Sequence, residues 1–268
     1  MFVGWHNENF ESAVEDFGSS VLCDTNLLIK TWQQDKSHSF GAYKDGELFG
    51  MISAFRFDKA MLINNFCYKQ ELSSDDKKRL LALLLKNIDE SGKSILVLVS
   101  DEERELFDAF GFKSFAPFHK ALYEGHDVGL FSTNFSNISS TEYMEPLRMT
   151  DREAYRDERF FYITHMMMKS SSLVLSTPNG YQHSYALNKS TIKISPWVMR
   201  SSAFEDAQKL LRALIHHRGL KKIIAFIPAK VKEITDLYSA HGFKYAQNYN
   251  LMYLNEKPDI NLEMIYGF

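Results

Sequence analysis

Arg79-Leu80-Leu81-Ala82-Leu83-Leu84-Leu85 has a counterpart in Lys209-Leu210-Leu211-Arg212-Ala213-Leu214-Ile215. Each stretch is followed by a glycine, Gly92 or Gly219, and then by an apolar run, Ser94-Ile95-Leu96-Val97-Leu98-Val99 or Ile223-Ile224-Ala225-Phe226-Ile227. Each run leads on to the same triplet, Gly111-Phe112-Lys113 or Gly242-Phe243-Lys244. The offset stays near roughly 130 residues, the size of a domain and too long for a solenoid period. The shared order, more than any one match, reads as an internal duplication. At 268 residues the chain has room for two domains of ordinary size. The reading divides it into residues 1–125, a polar linker at 126–141 and residues 142–268.

Outward from the leucine-rich stretches, each copy has the same local grammar. In the first, Ser39 to Tyr43 and Leu48 to Phe55 flank Lys44-Asp45-Gly46, and Asp-Gly supplies the positive φ of a hairpin turn. A third strand is expected from Ala60 to Tyr68. Ser73 and Ser74 offer an oxygen to the unpaired amides of a helix start, with Asp75 and Asp76 favourable in its first turn. Leu80, Leu81, Leu84, Leu85 and Ile88 share one helical face, and Gly92 is read as the stop. Ser100 and Glu103 have capping-box spacing before a short helix that ends at Gly111. In the second copy, strands are expected at Leu173 to Ser176, Gly180 to Leu187 and Thr191 to Met199. Ser202 and Glu205 again have capping-box spacing, before a helix that carries Leu210, Leu211, Leu214 and Ile215. A strand at Ile223 to Ile227, a helix at Glu233 to Ala240 and a strand from Phe243 to Leu254 complete it. Asp151 to Ser171 reads as one or two helices, whose Met166, Met167 and Met168 fill core or line an apolar groove.

Composition narrows the classes. Hydrophobic residues at 45% and charged residues at 24% belong to an ordinary globular chain, not a disordered one. A net charge of -3 gives no footprint for nucleic acid and no basic patch for a membrane surface. Cys23 and Cys67 are too few for a disulfide framework or a zinc cage, and no His/Cys/Asp cluster has metal-site spacing. No apolar stretch reaches the length of a membrane span, and the opening residues lack the pattern of a secretory signal. A cytoplasmic location is the expectation.

Strands, a helix after the third of them, another strand, a short helix and a Gly-Phe-led strand: this order resembles the GNAT superfamily of acyl-CoA N-acyltransferases. The stretch from Ile194-Ser195-Pro196-Trp197-Val198 through Ala207 to Leu214, closing at Leu237-Tyr238-Ser239-Ala240-His241-Gly242-Phe243, is similar to the C-terminal domain of tandem GNAT proteins. Gly4-Trp5-His6 and Phe40-Gly41-Ala42-Tyr43 are similar to their N-terminal domain. The resemblance implies an α/β (α+β) class with two tandem GNAT-like domains, each a mixed twisted sheet flanked by helices.

The same resemblance implies acetyl-CoA as acyl donor, without a metal, held in a V-shaped opening between two central parallel strands. Its pantetheine arm would pair with the strand before the long helix, and its pyrophosphate would meet the amides that start that helix. An amine, of a small molecule or a protein, would attack the thioester directly while an acid protonates the departing thiolate. Carried onto this chain, the first path runs along Asn65, Phe66, Cys67 and Tyr68 toward Ser73 and Ser74. The second runs along Trp197, Val198 and Met199 toward Arg200, Ser201 and Ser202. The acid position falls on Tyr238 in the second copy and on Phe107, which has no proton to give, in the first. His183 is the candidate base. Each has a structural reading too: a packed tyrosine, a hydrogen-bonded strand histidine, and for Cys67 a small core hydrophobe.

The chain departs from the family at its pyrophosphate loop, Arg/Gln-x-x-Gly-x-Gly/Ala. The corresponding stretches are Gln70-Glu71-Leu72-Ser73-Ser74-Asp75-Asp76-Lys77-Lys78 and Arg200-Ser201-Ser202-Ala203-Phe204-Glu205. That departure motivates a second expectation, a catalytically silent GNAT-fold protein that binds a ligand or partner.

Overall fold

The structure is a computed structural model that describes residues 1–6, 9–88, 93–125 and 144–268. The expected linker at 126–141 and the helix stop at Gly92 lie outside the described residues. Two compact units emerge: Met1–Lys113 with Met252–Pro258, and Ser114–Leu251 with Asp259–Phe268.

Unit 1 runs β1 (Phe2–Trp5), α1 (Phe10–Ser20), α2 (Thr25–Gln34), β2 (Ser39–Lys44), β3 (Glu47–Arg56), β4 (Ala60–Tyr68), α3 (Ser74–Ile88), β5 (Ser94–Ser100) and α4 (Arg104–Asp108). The strands lie in chain order; only β4 and β5 are parallel. The β2–β3 turn has Asp45 at φ 53° and Gly46 at φ 85°, the two positive values of a type I′ hairpin. α3 presents Leu80, Leu81, Leu84 and Ile88 to the sheet, while Leu85 stays partly buried at the border. Removing one such buried side chain, as in Leu84→Ala, costs about 2–5 kcal/mol. The other face is covered by α1 and α2 through Phe10, Val14, Phe17 and Leu28. These two helices are invisible in the repeat, because their apolar residues match nothing in the second copy. Asp24 caps α2 by accepting from the Leu27 amide at 3.1 Å.

Unit 2 contains β6 (Lys113–Tyr123), α5 (Met144–Tyr155), a π-helical turn (Tyr162–Met167), β7 (Leu173–Thr177), β8 (Gly180–Ala186), β9 (Thr191–Met199), α6 (Phe204–Arg218), β10 (Lys222–Pro228), α7 (Lys232–Ala240), β11 (Lys244–Leu254) and β12 (Ile265–Gly267). Its sheet order is β11-β6-β10-β9-β8-β7, with β9 and β10 parallel. β6 follows the first copy's Gly-Phe-Lys yet pairs antiparallel with β10, from Tyr123↔Ile223 to Phe118↔Pro228. Conversely, Met252 and Leu254 at the end of β11 join the core of unit 1. The compact units are therefore drawn differently from the division of the chain at residues 125 and 142. Met166 and Met167 are buried and Met168 packs against the α5 core, so the methionines fill space.

Neither expected capping box forms. The residue before α4 is Glu103 itself, and the one before α6 is Ala203; neither makes a side-chain cap. Ser100 still belongs to β5, and Ser202, at φ 65°, lies in the turn that precedes Ala203. Each serine stands too early in the chain to reach the helix amides.

Candidate functional site

The site begins where two parallel strands part. β4 and β5 stay in register from Ala60↔Ser94 to Ile63↔Val97, although the strands continue to Tyr68 and Ser100. At that point β4 bulges: Ser53 faces Asn65 and Ala54 faces Ile63, leaving Asn64 as the extra residue. A bulge bends and twists its strand, turning the following residues away from the old partner. Polar side chains hold it. Ser53 Oγ donates to Asn64 Oδ1 at 3.0 Å, Asn64 Nδ2 donates to Thr31 Oγ1 at 3.0 Å, and Asn65 Nδ2 donates to Ser53 Oγ at 2.9 Å. Thr31 in turn donates to the Leu27 carbonyl at 2.8 Å, so the bulge is tied to α2. Beyond it, alternate backbone N–H and C=O groups of β4 face away from β3, and no strand among the described residues stands between β4 and β5.

The walls of this opening are aromatic at one level and charged at the next. Phe66 meets Phe107 edge-on at 5.7 Å, and Phe107 meets Phe112 at 5.3 Å. Tyr68 donates its hydroxyl to Glu103 Oε1 at 2.7 Å, which links the end of β4 to the start of α4. Burial and the neighbouring Glu103 carboxylate push the Tyr68 hydroxyl well up from its usual range, so it keeps its proton. Lys77 Nζ stands 3.6 Å from the centre of the Tyr68 ring. Ser73 Oγ accepts from the Asp76 amide at 3.1 Å and so begins α3, with Ser74 as its first residue. The sequence-predicted Asn65, Phe66, Cys67, Tyr68, Ser73 and Ser74 thus follow one path from the bulge to the helix start. Asn64, Ser53, Thr31 and Glu103 complete it, and the sequence reading assigns none of them to the site. Two adjacent asparagines inside an apolar strand are the signal that would have marked the bulge; Glu103 stands out in sequence only as the partner of Ser100 in an expected capping box, not as a partner of Tyr68.

In unit 2 the corresponding strands also part. β9 and β10 pair from Thr191↔Lys222 to Ile194↔Ala225, and β9 bulges against β8 between Gln182 and Ser184. Here the space is filled by β12. Ile265 pairs with Val198 and Gly267 with Trp197, and the Phe268 amide donates to the Phe226 carbonyl of β10 at 2.9 Å. Trp197, Val198 and Met199 are all fully buried. Gly267 lets the strands approach closely at this pairing: a Cβ there would stand 3.1 Å from Ile194 Cγ2 and 3.2 Å from the Ile194 carbonyl oxygen. Arg200, Ser201 and Ser202 are exposed in the turn after β9.

Tyr238, fully buried, donates its hydroxyl to the Tyr266 carbonyl at 2.7 Å, and burial raises it well above the usual tyrosine range. Its hydroxyl thereby fastens β12. Tyr266 itself donates to Glu233 Oε1 at 2.5 Å and packs its ring 5.3 Å from that of Trp197. His183, also fully buried, lies 2.6 Å from the Ser195 carbonyl through Nδ1 and 2.9 Å from Ser172 Oγ through Nε2. Both ring nitrogens are engaged within the sheet. Among the described residues no group of three or more His, Cys, Asp or Glu is placed to hold a metal ion, and no helix is long and apolar enough to cross a membrane.

No protein-family model matches the sequence, and no curated protein matches it. Solved structures do. A Pyrococcus horikoshii protein described as an acetyltransferase superposes with a TM-score of 0.79 at 16% identity, over 100% of this chain and 93% of its own. A tandem GNAT protein from the clavulanic acid biosynthesis pathway gives 0.63 at 10% identity, over 94% and 98%. This is the GNAT fold. A GCN5-related N-acetyltransferase from Sphaerobacter thermophilus adds 0.59 at 10% identity, over 98% of both chains. Identities this low establish the architecture, and the architecture is one whose neighbours are acyltransferases. In GNAT terms, unit 1 keeps the V-shaped gap between its central parallel strands, and unit 2 holds a strand of its own chain there.

Proposed function

We propose that this chain is an acyl-CoA-dependent N-acyltransferase whose chemistry resides in unit 1, with acetyl-CoA as donor and the amine of a small molecule or protein as acceptor. The observation that carries the reading is the contrast between the two gaps. The edge of β9 is already paired to β12, whereas no strand among the described residues pairs with the β5-facing edge of β4 from Asn65 to Tyr68, an edge suited to an extended amide arm. Those groups fit pantetheine. The start of α3 fits a phosphate in part: its amides and Lys77 favour an anion, and Asp75 and Asp76 oppose one. A bound acyl-CoA supplies the thioester carbon that the amine attacks.

The chain's own residues then have distinct tasks. The Asn64–Asn65–Ser53–Thr31 network holds the bulge that aims the strand. Phe66, backed by the fully buried Phe107, supplies apolar surface beside β4 that keeps water from the thioester. Tyr68, a weak acid beside Glu103, passes its proton to the departing thiolate only as Glu103, protonated by the attacking amine, returns one to it. The attacking nitrogen loses its own proton to Glu103 or water, so the products are an amide and a free thiol. Tyr238 and His183 are assigned to holding unit 2 together. A cytoplasmic location, with no nucleic-acid or membrane partner, belongs to the same proposal.

Calorimetric titration with acetyl-CoA tests it. Binding is expected in the wild type, weakened about tenfold by Lys77→Glu, a loss of about 1.4 kcal/mol, and unchanged by Arg200→Glu. Tyr68→Phe is expected to slow thiol release more than it weakens binding. Absence of binding, or binding abolished by Arg200→Glu alone, overturns the proposal.

A further inference from the structure

The sheet of unit 1 ends at β1, and no strand among the described residues lies beyond it. An outermost strand turns backbone N–H and C=O groups outward, a template for one more strand, and charged side chains usually blunt it. β1 carries instead Phe2, 63% exposed, and Trp5, 51% exposed. Trp5 pairs with Phe40 of β2, ring centre to ring centre at 4.6 Å, so Trp5 and Val3 stand on the face that α3 covers. There α3 presents a stripe at helical spacing, Arg79, Ala82, Leu83 and Lys86. With Val3 these residues line an open groove of about 310 Å³. Its floor is apolar and a cation stands at each end. Arg79 uses Nη1 on Asp76 Oδ1 at 2.9 Å and on the Met1 carbonyl at 3.4 Å, while its Nε and Nη2 have no partner among the described residues. Asp76 is also held by the Ser73 hydroxyl at 2.7 Å, and Lys86 is exposed.

We infer that the edge of β1 and this groove bind an extended acidic peptide of another protein, added as a further strand with the pattern acid-x-apolar-x-acid. Alternate side chains of an added strand face α3, so the central apolar one enters the groove and the two carboxylates flank it. Arg79 and Lys86 lie about 10.5 Å apart along the helix axis. The two acids lie about 13 Å apart along an extended strand, a difference that long side chains cover. Charge selects this occupant over a second copy of the chain. β1 laid antiparallel on another β1 across a twofold axis brings a second α3 onto the same face and sets Arg79 against Lys86. A lipid surface would meet the apolar floor and the cations, yet its acyl chains leave the N–H and C=O groups of the edge unpaired.

The probe is a fluorescein-labelled peptide, Ser-Glu-Val-Leu-Val-Glu-Ser, titrated with the full chain by anisotropy. No acyl donor is present, so failure here leaves the acyl-transfer reading untouched. Saturable binding is expected, with slower hydrogen exchange in β1. Affinity should fall about tenfold when both glutamates of the peptide are replaced by lysine, and again about tenfold for the original peptide in Lys86→Glu. The lysine peptide should regain affinity for the Arg79→Glu/Lys86→Glu double variant, a reversal that misfolding cannot produce. No saturation, equal affinity for the two peptides, or loss without rescue by reversed charges overturns the inference. So does protection of β1 that accompanies dimerisation of the chain, or binding to phosphatidylglycerol vesicles, in place of the peptide.

Discussion

The fourth strands of the two units part from their parallel neighbours after the same four register pairs, at a bulge in each case, yet the spaces that result have different fates. In unit 1 no strand among the described residues pairs with that edge beside Phe66 and Tyr68. In unit 2, β12 has taken the corresponding edge, and Tyr238, the residue on which the resemblance placed an acid, donates to the backbone of that strand. The lesson is physical. An unpaired backbone edge is costly when buried, so it is met either by a ligand or by the chain itself. The gap recurs in both units, and a segment far along the chain fills one of them.

The largest effect that would sharpen this contrast concerns how the two units anchor their helical layers. Unit 2 does so with a buried ion pair: Arg159 Nε donates to Asp151 Oδ2 at 3.1 Å and Tyr181 donates to Asp151 Oδ1 at 2.8 Å. Unit 1 uses the neutral Thr31–Asn64 bond. Asp151→Asn removes the carboxylate charge facing a buried guanidinium and should cost about 3–5 kcal/mol in urea unfolding, against about 1 kcal/mol for Asn64→Ala. Equal losses would break the comparison. Next comes Tyr238→Phe, which orphans the Tyr266 carbonyl and should cost about 1–3 kcal/mol while acetyl-CoA titration stays unchanged. Unaltered stability with slowed thiol release would instead return Tyr238 to the role of acid.

The last effect lies in acid. His6 stacks on Phe10 at 3.8 Å, with Tyr43 Oη 2.7 Å from Nδ1 and Ser39 Oγ 3.0 Å from Nε2; burial pushes it down to about 3. The unfolded chain takes up this proton near the ordinary histidine value, so the unfolded state binds more protons between the two values. The stability contributed by neutral His6 is thus complete above about pH 6.5 and drains as the pH falls toward about 3. Urea midpoints between about pH 7 and about pH 4 should decline less in His6→Gln than in wild type. Parallel declines would show that His6 is protonated while folded.

Much of the architecture was legible in local pattern. The Asp-Gly hairpin, the strand from Ala60 to Tyr68, the leucine face of α3 and the equivalent face of α6 were all readable from turn chemistry and periodicity. α1 and α2 were not, since the repeat carried no record of them, and the two capping boxes failed because spacing alone does not say where a strand ends. At the site, the path from Asn65 to Ser74 could be placed by resemblance, but the bulge network and Glu103 could not. Their partners, Thr31 with Asn64 and Tyr68 with Glu103, are more than thirty residues apart in sequence.

By itself the sequence determined the Asp-Gly hairpin, the strand from Ala60 to Tyr68 and the leucine faces of α3 and α6, because hydrophobic period and turn residues act locally; the gap between parallel strands was placed by resemblance. Only the tertiary structure decided that β6 and the end of β11 change units, that β12 enters one gap and leaves the other, and that Tyr238 faces a carbonyl. Those outcomes depend on backbone groups finding partners across long stretches of chain, and a pairing edge has no residue signature of its own.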